Sequence, residues 1–255
     1  MDKILNKKNS STTNILIYGR HPVISALQNP KRKCKALFTT HSIWRELQQK
    51  LPDIDIKVNI CEAHQLDRML SFGVNHQNII LESAPLSSIS IEEIISEAAQ
   101  KPTSCIVILD QVTDPHNVGA IMRSAAAFSA DAIILTENNS PKENNTIAKC
   151  SAGAVENLPM SYVTNLSNCI KTLKKAGYWI VGLDGHSKQI LSSTIFSDKI
   201  AIILGSEDQG MRKLTKENCD YLVKISISSN LESLNVSNAA SIALYEYSRY
   251  ITSTK

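Results

Sequence analysis

The chain reads as an α/β protein with a mainly parallel sheet, and three observations carry that reading. Near-continuous apolar runs recur at Cys105–Asp110, Ala132–Leu135, Tyr178–Leu183, Ile200–Leu204 and Tyr221–Ile227. Such runs are strands buried on both faces. Helically spaced segments separate them: Val118–Phe128, Ile147–Val155, Leu166–Ala176 and Met211–Cys219. Alternation of this kind implies parallel strands covered by helices. A smaller α/β pattern precedes them over residues 15–84.

That first pattern opens with the apolar Ile15–Tyr18. Pro22 suits the first turn of a helix, on which Val23, Ala26 and Leu27 share one face. A strand at Lys35–Thr39, a helix at Ser42–Lys50 and a strand at Ile56–Cys61 follow. A helix at Glu62–Phe72 and a strand at Asn78–Glu82 complete the unit. Ala84–Ser88 is the natural boundary, and Ile89–Ala99 has helical spacing that Pro102 stops. The expected division is a flexible basic tail at 1–14, an α/β domain at 15–84, a helix-bearing linker at 85–103 and a larger domain at 104–255.

A chain of 255 residues accommodates one large or two small domains. No apolar run reaches membrane-spanning length, and residues 1–14 lack the apolar core of a secretory signal. The six cysteines show no Cys-x-x-Cys spacing and the six histidines no ligand spacing. Reduced, buried thiols in a cytoplasmic protein are therefore expected, with no metal. Net charge is +3, unevenly spread. Residues 1–35 carry eight Lys/Arg against one Asp, and the remainder carries 19 against 23 Asp/Glu. The basic start is either a solvated tail or a patch that attracts nucleic-acid phosphates.

Three polar stretches interrupt the larger pattern. The first is Asp114-Pro115-His116-Asn117-Val118-Gly119-Ala120-Ile121-Met122-Arg123. The second, Leu204-Gly205-Ser206-Glu207-Asp208-Gln209-Gly210, follows an apolar strand. The third, Ser233-Leu234-Asn235-Val236-Ser237-Asn238-Ala239-Ala240, opens a final helix carrying Ile242, Ala243, Leu244, Tyr245 and Tyr247. Free backbone N–H groups at such strand-to-helix turns bind ligands. No Gly-x-Gly-x-x-Gly follows any strand, which speaks against a dinucleotide oxidoreductase. Gly205 is either a turn glycine or a point where backbone approaches a ligand. Ser233 and Asn235 are of types that cap helices. Asn117 and Arg123 lie about 9 Å apart along a helix with faces about 120° apart. Arg123, next to Ala125–Ala127, either snorkels to solvent or is kept for a partner.

Taken in this order, the three stretches resemble the motifs of the SpoU (TrmH-like) family of RNA ribose 2'-O-methyltransferases, within the SPOUT superfamily. The likeness spans roughly residues 104–250. The smaller domain resembles the ribosomal-protein-like RNA-binding domain of SpoU enzymes that act on ribosomal RNA, through Tyr18-Gly19-Arg20-His21, Ala26-Leu27 and His76-Gln77. Family members often have Gly after that His-Gln, where this chain has Asn78.

The resemblance implies a parallel sheet whose C-terminal segment forms a trefoil knot, a homodimer, and S-adenosylmethionine as cofactor. It implies cofactor binding by Leu135 and its following loop, Gly205, Ile225 and Leu234, although Ile225 and Leu234 alone read as core. It implies a catalytic set of Asn117, Arg123, Glu207, Ser233 and Asn235, with Glu207 accepting from an arginine or a ribose hydroxyl. Arg20, His21, His76 and Gln77 would contact RNA. The implied activity is ribose 2'-O-methylation of RNA, a guanosine of large-subunit ribosomal RNA first of all. Transfer RNA is the alternative substrate, and a catalytically silent ribosome-assembly factor the alternative class.

Overall fold

The computed structural model describes residues 14–194 and 196–253. The expected tail at 1–14 therefore lies outside the described residues except for Asn14.

The smaller unit contains β1 (Ile15–Tyr18), α1 (Arg20–Gln28), β2 (Cys34–Thr39), α2 (His41–Lys50), β3 (Lys57–Ile60), α3 (Ala63–Asp67) and β4 (Ile79–Ser83). Its sheet runs β1-β4-β2-β3. β4 is antiparallel to both neighbours and β2 is parallel to β3. The core gathers Ile15, Ile17, Val23, Ala26, Leu37, Leu47, Ile79 and Leu81. The helix expected at 62–72 shrinks to Ala63–Asp67, capped by Glu62 and Gln65. Phe72 had extended the apolar pattern, yet its side chain stands in solvent.

After β4 comes α4 (Ile91–Ala99), started by a Ser90–Glu93 capping box. The larger unit then runs β5 (Ser104–Asp110), α5 (Pro115–Ala127), β6 (Ala132–Thr136), α6 (Asn145–Cys150), β7 (Met160–Val163), α7 (Leu166–Lys175), β8 (Trp179–Leu183), β9 (Gln189–Ile190), β10 (Lys199–Gly205), α8 (Lys213–Glu217), β11 (Tyr221–Lys224) and α9 (Val236–Ser253). Seven parallel strands take the order β7-β6-β5-β10-β8-β11-β9. Every residue of β5 is buried, because alternate side chains enter opposite cores. Cys105, Val107 and Leu109 meet α5 and α9 through Val118, Ile121, Met122, Ala240 and Leu244. Ile106 and Ile108 meet α4 and α7 through Ile94, Leu166, Ile170 and Leu173. The helix expected at 147–155 ends at Cys150, and a 3-10 turn at Ala154–Glu156 follows Gly153, whose φ is 91°.

The two units are joined by a charged seam. The Arg32 side chain is fully buried and ion-pairs with Glu143 at 2.7 Å and Glu156 at 2.6 Å, both also buried. Its Nη1 donates to the Ala84 carbonyl at 3.1 Å. Asn29 adds a hydrogen bond to Glu156 at 2.8 Å, and the Leu16 N–H donates to Asn145 at 3.0 Å. Ala148 of α6 belongs to the smaller unit's core. One sequence reading changes accordingly: Arg32 is not a free cation of a phosphate-attracting start, because its charge is paired inside the protein. The stretch after β4 is held in place where the units meet: the Leu86 N–H donates to Glu143 at 2.6 Å, and the Ile89 N–H donates to the Met160 carbonyl at 3.0 Å.

Candidate active site

β5 has β6 on one side and β10 on the other, so the chain leaves the middle of the sheet in opposite directions. In open parallel sheets, ligands bind outside the carboxyl ends of the strands at such a reversal. The three polar stretches converge at that edge.

The turn after β10 is shaped by its backbone. A Cβ on Gly205 would lie 2.0 Å from the carbonyl carbon of Gly210 and 2.1 Å from the Met211 nitrogen. Only glycine fits, because the chain's own turn fills the space. Ser206 and Gly210 exchange backbone hydrogen bonds of 3.2 and 2.9 Å. Just beyond, Arg212 donates to the fully buried Asp110 through its backbone N–H at 3.0 Å and Nε at 2.7 Å. Asp110 ends β5, so the turn carrying Glu207 is pinned at both ends.

Asn235 joins all three stretches. Its Nδ2 donates to Asn117 Oδ1 at 3.0 Å and to Glu207 Oε1 at 2.6 Å. Its Oδ1 accepts from the Ser237 N–H at 2.9 Å and hydroxyl at 2.5 Å, which caps the start of α9. The Val236 N–H also reaches Glu207 Oε1, at 3.4 Å. Glu207 thus accepts from Asn235 and a helix amide rather than from an arginine. Its Oε2 accepts no hydrogen bond among the described residues.

Asn117 is buried in the first turn of α5, which begins with an Asp114 cap to the His116 N–H and Pro115. Gly119 lets α5 touch α6: a Cβ there would stand 2.6 Å from Cys150 Cβ. Arg123 is exposed and makes no hydrogen bond or ion pair among the described residues. Ser233 is exposed and likewise stands apart from the Asn117–Asn235–Glu207 trio. Leu135 is fully buried near the end of β6, while Ile225 and Leu234 are half-buried on either side of an exposed polar loop.

The smaller unit places its four candidates around one turn. Gln77 and Asn78 have φ of 54° and 60°. That left-handed conformation is where glycine is favoured and asparagine tolerated, so Asn78 suits the turn. His76 is buried; its Nε2 meets Asp67 Oδ1 at 2.9 Å and its Nδ1 accepts from the Asn78 N–H at 3.0 Å. Both ring nitrogens are engaged inside the protein, and the ring holds the turn. Gln77 Oε1 accepts from the Arg20 N–H at 2.8 Å. The Arg20 guanidinium pairs with Glu46 at 2.9 Å, and His21 is exposed.

All six cysteines are free thiols. Burial pushes Cys169 and Cys219 up to about 12, so both stay protonated and inert near neutral pH. Two contributors to the architecture escaped the sequence reading: the Asp110–Arg212 anchor and the Arg32 seam. Both join residues more than 100 positions apart, and no local pattern marks such pairs.

A protein with a small mixed sheet fused to a seven-stranded parallel sheet, and with a polar site at the carboxyl edge, defines a class that the comparisons then name. The profile of the SpoU rRNA methylase family matches residues 104–245, and that of the RNA 2'-O ribose methyltransferase substrate-binding domain matches residues 16–88. The chain is 34% identical over 237 residues to the 23S rRNA (guanosine-2'-O-)-methyltransferase of Escherichia coli K12, covering 91% of this chain and 96% of that protein. An uncharacterized tRNA/rRNA methyltransferase of Synechocystis is 32% identical over 92% of this chain, which spans 62% of that relative's length. Among solved structures, the SpoU methyltransferase AviRb of Streptomyces viridochromogenes in complex with AdoMet superposes with a TM-score of 0.80 at 21% identity, covering 94% and 91% of the two chains. An AdoMet-bound rRNA methyltransferase of Sinorhizobium meliloti gives 0.77 at 21% identity over 93% and 88%. The chain belongs to the SpoU methylase family.

Proposed function

We propose that this protein is an S-adenosylmethionine-dependent RNA ribose 2'-O-methyltransferase whose substrate is a guanosine in large-subunit ribosomal RNA. The observation that carries the reading is Asn235, which ties Asn117 and Glu207 together at the carboxyl edge of the parallel sheet. Family membership and the near full-length likeness to guanosine-2'-O-methyltransferases support the substrate.

The residues at this edge fit the cofactor. Half-buried Ile225 and Leu234 offer apolar walls for an adenine ring. Main chain at Ile225, just past the end of β11, offers a donor and an acceptor edge. When bound, the cofactor supplies an electrophilic methyl group on a sulfonium. The protein's own task is to hold a ribose hydroxyl in line and manage its proton. Glu207 Oε2 is the acceptor nearest to hand at the trio. Arg123, without a partner among the described residues, clamps a phosphate beside the target ribose and stabilises the developing alkoxide.

The path from Ile225 to Asn235 returns to Glu207 and Asn117, which supports a knotted C-terminal segment. Residues 15–84 would read the RNA, with Arg20, His21 and Gln77 on its exposed side. Ile242 and Tyr245 are exposed on α9, and Phe128 packs edge-on against Tyr245 at 6.0 Å; a second copy of the chain is their proposed cover. Six free thiols suit the cytoplasm.

The test is to map ribose methylation across ribosomal and transfer RNA in cells with and without the gene. Loss of one guanosine mark in large-subunit ribosomal RNA is the expected outcome. Loss of a transfer RNA mark alone would replace the substrate, and no loss anywhere would return the silent assembly factor.

A further inference from the structure

The seam between the two units presents an ammonium group that no acidic side chain among the described residues neutralises. Lys149, on α6, reaches across to the smaller unit. Its Nζ lies 5.4 Å from the centroid of the Tyr18 ring and donates to the Asn75 carbonyl at 3.4 Å. A Cβ on Gly19 would stand 2.5 Å from that Nζ and 3.3 Å from Gln77 Oε1. Gly19, with φ of 90°, is thus the residue type that leaves room for it. A π face and a carbonyl orient an ammonium without cancelling its charge. Lys149 forms no ion pair among the described residues, in contrast to Arg32, Arg20 and Arg212. No acidic residue occupies the first turn of α1 beside it.

The position is also on the way to the site. Cys150, the next residue, contacts the His116 ring at 3.4 Å. His116 precedes Asn117 of the trio. One strand of nucleic acid passing from the Gln77 turn to Asn117 would cross Lys149.

We propose that Lys149 is a phosphate-binding positioning residue, which grips the RNA backbone where the two domains meet. The inference rests on the proposed RNA substrate. Its ligand is a backbone phosphodiester, recognised by charge and not by base.

The test compares full-length wild type with Lys149→Met and Lys149→Arg, using a ribosomal RNA fragment that wild type methylates. Lys149→Met keeps the stem and removes the charge. The expected result is a several-fold rise in KM for RNA with kcat and S-adenosylmethionine affinity unchanged. The slope of log K against log salt should shrink by about 0.7 to 0.9, the share of one phosphate contact. Lys149→Arg should restore both. If the slope and KM of Lys149→Met match wild type, or if its melting temperature collapses and Lys149→Arg does not restore RNA binding, Lys149 is a strut between domains and the inference fails. If wild type itself neither binds nor methylates RNA, the functional reading fails with it. Wild-type activity with an indifferent Lys149 sinks this inference alone.

Discussion

The seam and the carboxyl edge of the large sheet both collect charged and polar side chains, but they treat them in opposite ways. At the seam, Arg32 is sealed between Glu143 and Glu156, with all three side chains at most 2% exposed. At the edge, Arg123 and Glu207 are exposed, and Glu207 keeps one carboxylate oxygen without a partner among the described residues. Charges that are buried and mutually satisfied fix an orientation. Charges that are held but left open are available to a substrate. The contrast separates residues that hold the two domains in register from residues left open to a ligand.

The largest expected effect breaks the seam. Arg32→Met leaves two buried carboxylates facing each other, and removing one partner of a buried ion cluster costs about 3–5 kcal/mol. The two carboxylates then repel across the space the guanidinium filled, and the urea midpoint should fall well below that of wild type. Adding Glu143→Gln and Glu156→Gln should recover most of the loss. A midpoint close to that of wild type would mean that the two acids are reached by water.

Next comes the open edge, at Arg123. Arg123→Lys keeps a positive charge but loses the planar fork that pairs with phosphate. Loss of an electrostatic donor of this kind costs roughly 10²–10³-fold in kcat, here with an unchanged melting temperature because Arg123 leaves no group unpaired among the described residues. If Arg123 instead served as the base, the lysine amine would lose its proton more easily. Turnover of the variant would then recover toward wild type between pH 7 and 10. A variant that stays slow throughout supports the clamp.

Asn235 sits between the two regimes, since it caps a helix and orders the site at once. Asn235→Ala should cost about 1 kcal/mol of stability as a lost cap and roughly 10²-fold in kcat as lost positioning. Asn235→Ser keeps a capping oxygen but not the amide donor that joins Asn117 to Glu207. It should recover the melting temperature and leave the rate low. Equal recovery of both would show that the cap alone matters.

Much of this was legible because it is local. β5, β6 and β10 read correctly since strands buried on both faces are nearly pure aliphatic. The edge strand β7 went unseen: it is four residues long, follows Pro159 and contains Ser161, so its pattern resembles a loop. The two-residue β9 has both side chains exposed and carries no signal at all. Asn117, Glu207 and Asn235 were each marked by their motifs, but their hydrogen bonds were not, because 118 positions separate Asn117 from Asn235. Arg32 was misread for the same reason. In sequence it is one lysine-like charge among Lys31, Lys33 and Lys35; only the fold brings Glu143 and Glu156 to it. Composition reports how many charges a segment has and not which of them are satisfied.

The smallest expected effect lies in the turn that shapes the smaller unit's side of the seam. Asn78 sits at φ 60° directly after Gln77 at φ 54°. Its backbone is fully used: the N–H donates to His76 Nδ1 at 3.0 Å, and the carbonyl accepts from Thr39 Oγ1 at 2.9 Å and from the Thr40 N–H at 3.3 Å. No hydrogen bond to its side chain is present among the described residues. The side chain's value is therefore conformational, because asparagine enters the left-handed region more readily than other residues with a Cβ. Asn78→Gly removes the remaining steric cost and adds freedom to the unfolded chain; the two oppose each other, and stability should stay within about 1 kcal/mol of wild type. Asn78→Ala keeps the Cβ without asparagine's tolerance and should cost about 1–2 kcal/mol. If Gln77 Oε1 and the Asn75 carbonyl depend on this turn for their places beside Lys149, Asn78→Ala should also weaken RNA binding, while Asn78→Gly leaves it intact. Thermal unfolding and RNA titration on the same two variants separate the outcomes. A loss of stability in Asn78→Ala with undisturbed RNA affinity would confine the turn to folding and detach it from the seam.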